Sequence, residues 1–137
     1  MSAPFAVQGI DHVVLRVREL ARALEFYRDV LGCRLEREEA SVGLTQLRAG
    51  RSLIDLVTLD GPLGQGSPPA PGAHNVEHFC LTLAPFDEPR LRAWLEAHGV
   101  RTEAAAPRYG AEGQGPSLYV VDPDGNRVEL KAARRDG

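Results

Sequence analysis

The sequence has little of what marks several classes of protein. It holds two cysteines, Cys33 and Cys80, in 137 residues, too few for a disulfide framework at this size. Its longest apolar runs are far shorter than a membrane span, and the N-terminus lacks a basic start followed by an apolar stretch. We therefore expect a cytoplasmic protein with no signal peptide and no membrane partner.

An excess of charge of one sign is also lacking. The chain has 16 basic and 19 acidic side chains, which give a formal net charge of −3. Because proteins that bind nucleic acids usually carry a concentrated basic patch, we expect no nucleic-acid partner. The glycine patterns of nucleotide-binding loops are absent as well. The hydrophobic fraction of 43% is that of a globular protein, and the length fits one ordinary domain or two small modules that share a core.

A pattern that occurs twice is the main positive feature of the chain. Each half opens with a strand-like alternation in which histidine is the third residue, at residues 10–17 and 76–83. An amphipathic helix follows in each half and ends at a glycine, Gly32 or Gly99. In front of the second helix, Asp87 is the expected N-cap.

Each half then closes with a strand that carries an acid between two aliphatic residues, Asp55 in the first half and Glu129 in the second. A Pro-Asp-Gly turn at residues 122–125 predicts a hairpin that leads into the last strand. Weaker strand candidates fill the space between each helix and its closing strand, at residues 34–40, 43–49, 101–106 and 117–121.

The order of these elements predicts an α+β fold. It consists of two βαβββ modules that form a curved mixed sheet, a cup, with the helices on its outer face. We expect a single domain over residues 1–137, made of a module at 8–59, a linker at 60–75 and a module at 76–132.

Two segments rich in glycine and proline interrupt these modules. Residues 60–72 lack periodicity and are predicted to form a linker or mobile loop. Residues 108–115 are either a flap over a site or a flexible hairpin loop.

Four ionisable side chains have the same parity in their predicted strands. Because alternate residues of a strand share a face, each of the four lies opposite the best core residues of its strand, so a sheet covered by helices on one side would present all of them on the other. They are His12, His78, Glu129 and Asp55. Two imidazoles and a carboxylate suit Fe(II), Mn(II), Ni(II) or Zn(II), and Asp55 would add a fourth ligand. A lone strand histidine is more often a hydrogen-bonded structural residue, but matching positions in a repeat favour a metal site.

Three segments resemble the hallmark segments of the vicinal oxygen chelate superfamily. They are residues 10–17 (IDHVVLRV), 23–32 (ALEFYRDVLG) and 122–130 (DPDGNRVEL). That superfamily includes glyoxalase I, extradiol dioxygenases, fosfomycin-resistance thiol transferases, methylmalonyl-CoA epimerase and bleomycin-binding proteins. The resemblance covers residues 9–131, nearly the whole chain, and it is specific for the superfamily rather than for one member.

The resemblance implies that His12, His78 and Glu129 are ligands of a divalent metal ion, Ni, Zn, Mn or Fe. Where the glyoxalase I pattern usually has a fourth ligand, a glutamate, this chain has Asp55. Aspartate is one methylene shorter. It would bind directly, bind through water, or leave a three-ligand site as in the dioxygenase and fosfomycin branches.

The activity that the resemblance implies is that of a glyoxalase-like lyase or isomerase acting on a small oxygenated substrate held by the metal. Glu129 would be both a ligand and the catalytic base that moves a proton between carbons. The alternatives are an Fe(II)-dependent dioxygenase and a non-catalytic binding or antibiotic-resistance protein. The resemblance also favours a homodimer, with the modules paired within one chain or exchanged between two.

Other side chains are weaker candidates for this face. Cys80 and Tyr119 have the parity to line it, although a cysteine is usually a small apolar filler. Four basic residues would meet an anionic substrate if they face the cup: Arg16, Arg48, Arg127 and Lys131.

Overall fold

The computed structural model describes residues 4, 8, 10–70, 73 and 75–134. Residues 71, 72 and 74 of the predicted linker and the last three residues of the chain lie outside this description. The chain divides into two compact units, Met1–Pro68 and Pro69–Gly137, and each is described by itself. None of the helices in the described ranges combines the length and the hydropathy that crossing a bilayer requires.

The first unit contains one four-stranded mixed sheet and one helix. Strand β1 pairs in parallel with β4, β3 lies antiparallel to β4, and β2 lies antiparallel to β3 at the edge. The elements are β1 (His12–Val17), α1 (Leu20–Leu24) continued by a π-helical segment (Glu25–Val30), β2 (Arg34–Glu39), a 3₁₀ turn (Ala40–Val42), β3 (Leu44–Ala49) and β4 (Ser52–Thr58).

The second unit repeats this arrangement. Its strands follow the order β5-β8-β7-β6, with β5 parallel to β8 and the other pairs antiparallel. The elements are β5 (Phe79–Leu83), α2 (Glu88–Ala97), β6 (Ala106–Gly110), β7 (Gly113–Val121) and β8 (Arg127–Ala132). The predicted α+β fold with two βαβββ modules is therefore confirmed, as two four-stranded mixed sheets.

The helix boundaries follow the predicted signals. Gly32 and Gly99 have φ angles of 84° and 77°, a left-handed conformation that glycine adopts at little cost after a helix. Asp87 caps α2, because its side chain accepts a hydrogen bond of 3.2 Å from the backbone N–H of Arg90.

One face of each sheet carries the core. In the first unit Leu15, Ile54 and Leu56 are buried, as are four residues of the helix: Ala23, Phe26, Tyr27 and Val30. In the second unit the buried residues are Leu95, Leu118, Val120, Val128 and Leu130. Because side chains alternate along a strand, the residues between these positions face the other way, which places the candidate site residues opposite the core.

The prediction for the middle of the second unit was wrong. Residues 101–105 form no strand, and residues 108–115 are not an irregular loop but lie in two paired strands and the turn between them. Strand β6 pairs with β7 from Ala106–Ser117 to Gly110–Gly113, around a two-residue turn. The glycines and prolines of this segment did not indicate strands in the sequence. However, β6 lies at the edge of its sheet, where one side of the strand needs no hydrogen-bonding partner and Pro107 is therefore tolerated.

The glycine- and proline-rich segment after β4 is packed over its first part. Arg16 donates from Nε to the carbonyl oxygen of Gly64 at 3.0 Å and from Nη2 to that of Ser67 at 2.9 Å. Gly64 is buried, and a Cβ atom there would overlap the carbonyl of Thr58. Residues 60–68 thus belong to the first unit.

Candidate functional site

The first unit brings His12 and Asp55 to one face of its sheet. His12 opens β1, and Asp55 lies on the adjacent strand β4 opposite Val14. His12 Nδ1 lies 2.8 Å from Asp11 Oδ2. The pKa of His12 is raised, chiefly by this hydrogen bond and further by the charge of Asp55.

Asp55 is 5% exposed and is held by a neighbour on β3. Gln46 Nε2 donates to both carboxylate oxygens of Asp55 at 3.1 Å. A carboxylate has about four acceptor positions, so two more can accept hydrogen bonds or bind a cation. The amide therefore fixes the carboxylate's orientation without exhausting its capacity as a ligand.

The second unit brings His78 and Glu129 together. Their Nε2 and Oε1 atoms are 3.5 Å apart. Glu129, on β8, is 7% exposed, and it lies opposite Cys80 on one side and Tyr119 on the other. His78 immediately precedes β5, which begins at Phe79 rather than at residue 76 as predicted.

Both histidines share a further feature that our reading of the sequence missed. The residue before each one, Asp11 or Glu77, holds its Nδ1 atom, at 2.8 Å in the first unit and 3.1 Å in the second. A carboxylate only accepts, so Nδ1 must donate, and the neutral ring then has its lone pair on Nε2. Histidines that ligate metals are typically oriented in this way by a carboxylate on the other nitrogen. The dipeptides Asp11-His12 and Glu77-His78 are the sequence signal from which this feature could have been predicted.

The four predicted ligands thus form two pairs, one histidine and one carboxylate in each unit. Among the described residues, no group of three or more histidine, cysteine, aspartate or glutamate side chains is placed to hold a metal ion. The donor types and the oriented Nε2 atoms fit a divalent transition metal.

An aromatic ring contacts His78 in the second unit, and two guanidinium groups lie against that ring. The Tyr119 ring meets the His78 ring edge-on, with centroids 5.4 Å apart. The Cζ atoms of Arg108 and Arg127 lie 4.6 Å and 4.2 Å from the centre of the Tyr119 ring. The parity of Tyr119 was predicted and Arg127 was a conditional candidate for this face, whereas Arg108 was assigned to a loop.

The remaining weaker candidates differ in their surroundings. Lys131 is buried on the face of Glu129, and Arg16 binds the backbone of residues 64 and 67. Arg48 forms an ion pair with Glu36 at 3.1 Å. Burial, and then the charge of Glu129, raise the pKa of the Cys80 thiol to about 11, so this thiol is a poor nucleophile at neutral pH.

Comparisons with known proteins identify the superfamily of the chain. A family model described as Glyoxalase/Bleomycin resistance protein/Dioxygenase superfamily matches residues 9–130. The chain is 27% identical to virulence protein STM3117 of Salmonella typhimurium, over 94% of this chain and 87% of that protein. It is 26% identical to the metallothiol transferase FosB of Staphylococcus epidermidis, over 90% and 83%.

Solved structures show the same fold. A protein from the mobile metagenome of V. Pseudocholerae is 26% identical, with a TM-score of 0.78 over 96% of this chain and 98% of that one. A lactoylglutathione lyase from Agrobacterium tumefaciens superposes with a TM-score of 0.65 at 24% identity, over 93% of this chain and 95% of that one.

Proposed function

We propose a function from one premise: the chain belongs to the Glyoxalase/Bleomycin resistance protein/Dioxygenase superfamily, whose model matches residues 9–130. On that premise, the function is that of a metal-dependent, glyoxalase-like lyase or isomerase acting on a small oxygenated substrate. The observation that carries the proposal is the pair of histidines whose Nδ1 atoms are held by the preceding carboxylates, each beside a second, buried carboxylate.

His12, His78 and Glu129 are the proposed metal ligands, and Asp55 is the fourth candidate. Asp55 is oriented by Gln46, which supports a role as a direct ligand or as the acceptor for a bound water. Ni, Zn, Mn and Fe all fit this mixed nitrogen and oxygen donor set. A bound divalent ion would supply Lewis-acid stabilisation of negative charge on two neighbouring substrate oxygens.

Glu129 is the proposed catalytic base. It is 7% exposed, and such burial keeps bulk water away from a proton that the carboxylate removes from one carbon and returns to the next. His78 lies within 3.5 Å of it and is packed edge-on against Tyr119, so the imidazole is confined on two sides. These contacts hold the base and its neighbouring ligand in one orientation.

The test is an assay of the metal-loaded protein with two substrate classes. After loading with Ni, Zn, Mn or Fe, the protein is given methylglyoxal with glutathione, or a catechol under oxygen. Lyase activity on the hemithioacetal is expected. In Glu129→Gln we expect the rate to fall by about 10²–10⁴-fold, the usual contribution of a positioned base. The matched control is Glu103→Gln, since Glu103 is an exposed glutamate.

Two other outcomes would replace the proposal. Oxygen uptake with catechol by the iron-loaded protein, without hemithioacetal turnover, would make it a dioxygenase. Tight binding of a small molecule that a chelator leaves unchanged would make it a binding protein. The first alternative draws support from a catechol-2,3-dioxygenase of Bacillus subtilis that is 29% identical over 91% of this chain, although the match spans only 41% of that protein.

A further inference from the structure

We propose that Lys131 and Arg108 form an anion-binding subsite on the same face as Glu129, so that the substrate carries a carboxylate or phosphate group. This inference rests on the proposed function for its substrate, but the subsite itself is defined by contacts within the second unit.

Lys131 is a lysine in an unusual setting. It lies on β8 two residues after Glu129, so both side chains emerge on the same face, and it is 4% exposed. Its Nζ donates to the carbonyl oxygen of Arg108 at 2.7 Å and to that of Gly115 at 3.2 Å. An ammonium has three N–H groups, and the third has no partner in the described part of the chain.

Glycines on the β6–β7 hairpin leave the space that this lysine occupies. A Cβ atom at Gly110 would lie 2.8 Å from Lys131 Cε, and one at Gly115 would lie 3.2 Å from Nζ. Larger residues would displace the amine from its carbonyls.

Arg108 reaches the same region from the adjacent edge strand. Its Nη1 donates to the backbone oxygen of Ser117 at 2.6 Å and approaches Ser117 Oγ at 3.0 Å. Ser117 is fully buried and lies directly opposite Lys131 in the β7–β8 register. The guanidinium, the hydroxyl and the amine thus belong to residues on the same face of three neighbouring strands.

Ion pairing distinguishes this cluster from its neighbour Arg127. Arg127, which stacks on the same Tyr119 ring, has a carboxylate partner, because its Nη1 lies 2.7 Å from Glu77 Oε1. Within the described ranges, neither Lys131 nor Arg108 has an ion-pair partner. Burying a cation without a direct ion pair is unfavourable, and a bound anion would offset that cost.

The position of the cluster relates it to the proposed chemistry. Arg108 and His78 contact the same Tyr119 ring, Arg108 with its guanidinium and His78 edge-on. A substrate that reaches from Glu129 across this ring would place an anionic group against Arg108 and Lys131.

The experiment measures anion binding in the full-length protein after metal has been removed with a chelator. Inorganic phosphate and acetate are titrated separately and followed by backbone amide shifts in NMR spectra. We expect saturable binding that weakens with added salt. Lys131→Gln and Arg108→Gln should each weaken binding about tenfold or more, because each removes a charged hydrogen-bond donor. Arg108→Lys, which keeps the charge, should retain part of the affinity.

Arg90→Gln is the matched control, because Arg90 is an exposed arginine on α2 and its removal lowers the net charge equally. Its affinity for both probes should equal that of wild type. If Lys131→Gln fails to fold, the comparison of Arg108→Gln with Arg108→Lys decides.

Two results would overturn the subsite: no saturable binding of either anion by wild type, or equal affinity in every variant. Either result would mean that Lys131 only stabilises the β6–β7 hairpin, through its hydrogen bonds to the backbone of Arg108 and Gly115. Since no metal is present, the proposed metal site can fail while this subsite stands, and the reverse also holds.

Discussion

At the scale of single residues, the contacts that distinguish the two candidate histidines come from their sequence neighbours. Asp11 and Glu77 each accept from the Nδ1 atom of the following histidine, and this leaves Nε2 as the nitrogen that can coordinate. Asp11 and Glu77 are therefore positioning residues for the two proposed ligands.

Replacing Glu77 tests that role. Glu77→Gln weakens the hydrogen bond that orients His78, and we expect metal affinity to fall by about 10–100-fold, as for other carboxylates behind ligating histidines. Competition with a chromophoric chelator measures the affinity, and Glu103→Gln serves as the control. Unchanged affinity in Glu77→Gln would mean that this carboxylate serves only its ion pair with Arg127.

Cys80 provides a pH test of the same face. With a pKa of about 11, only about one thiol in a thousand is ionised at pH 8, far fewer than for an ordinary cysteine. Because the pKa is raised, the thiolate fraction and the alkylation rate of the metal-free protein should keep rising about tenfold per pH unit up to that pKa. Iodoacetamide labelling followed by mass spectrometry checks this; a rate that levels off near pH 8.5 would contradict it.

At the scale of elements, the stability of each unit depends on a local contact that a single substitution can remove. The segment after β4 is held against the sheet by Arg16 and by the close approach of Gly64 to β4. Helix α2 begins at a capping aspartate. Both features lie outside the proposed ligands, so their variants report on stability rather than chemistry.

Gly64→Ala should destabilise the protein by about 1–3 kcal/mol, because the new methyl group overlaps the backbone at Thr58 and Val57. Gln65→Ala is the control, since Gln65 is exposed. Urea denaturation compares the two variants. Equal stability for both would show that residues 60–68 are a free linker after all.

Asp87→Ala removes the side-chain cap of α2 and should lower the free energy of unfolding by about 1 kcal/mol. The expected loss in melting temperature is about 3–6 °C, measured by circular dichroism. Asp60→Ala, at an exposed aspartate in the other unit, should leave the melting temperature unchanged.

How far the sequence predicts these elements depends on how each is stabilised. Helices and buried strands bury one face, so their periodicity predicted the βαβββ order and the parity of His12, Asp55 and Glu129. Strand β6 is an edge strand held by backbone pairing, and Gly113 and Pro107 obscured it. The burial of Lys131 could not be predicted, because alternation gives the face of a side chain, whereas the space here comes from glycines on a neighbouring hairpin.

At the scale of the whole molecule, each of the two units carries one histidine and one carboxylate of the proposed ligand set. The resemblance of the sequence to its superfamily predicts a homodimer, and light scattering at micromolar concentration is expected to give twice the mass of one chain. A mass of 14.9 kDa, that of one chain, would contradict the expected dimer.

The proposed function depends on the binding of a metal ion by His12, His78 and Glu129. The most direct test is the metal content per chain, by elemental analysis after purification without chelator, of wild type, His78→Ala and the control His98→Ala. His98 is a suitable control because its Nδ1 bonds the backbone oxygen of Trp94 at 2.8 Å, at the end of α2. We expect about one transition metal per chain in wild type and His98→Ala and little in His78→Ala. No metal in wild type after reconstitution with Ni, Mn, Fe and Zn, or equal content in all three proteins, would contradict it.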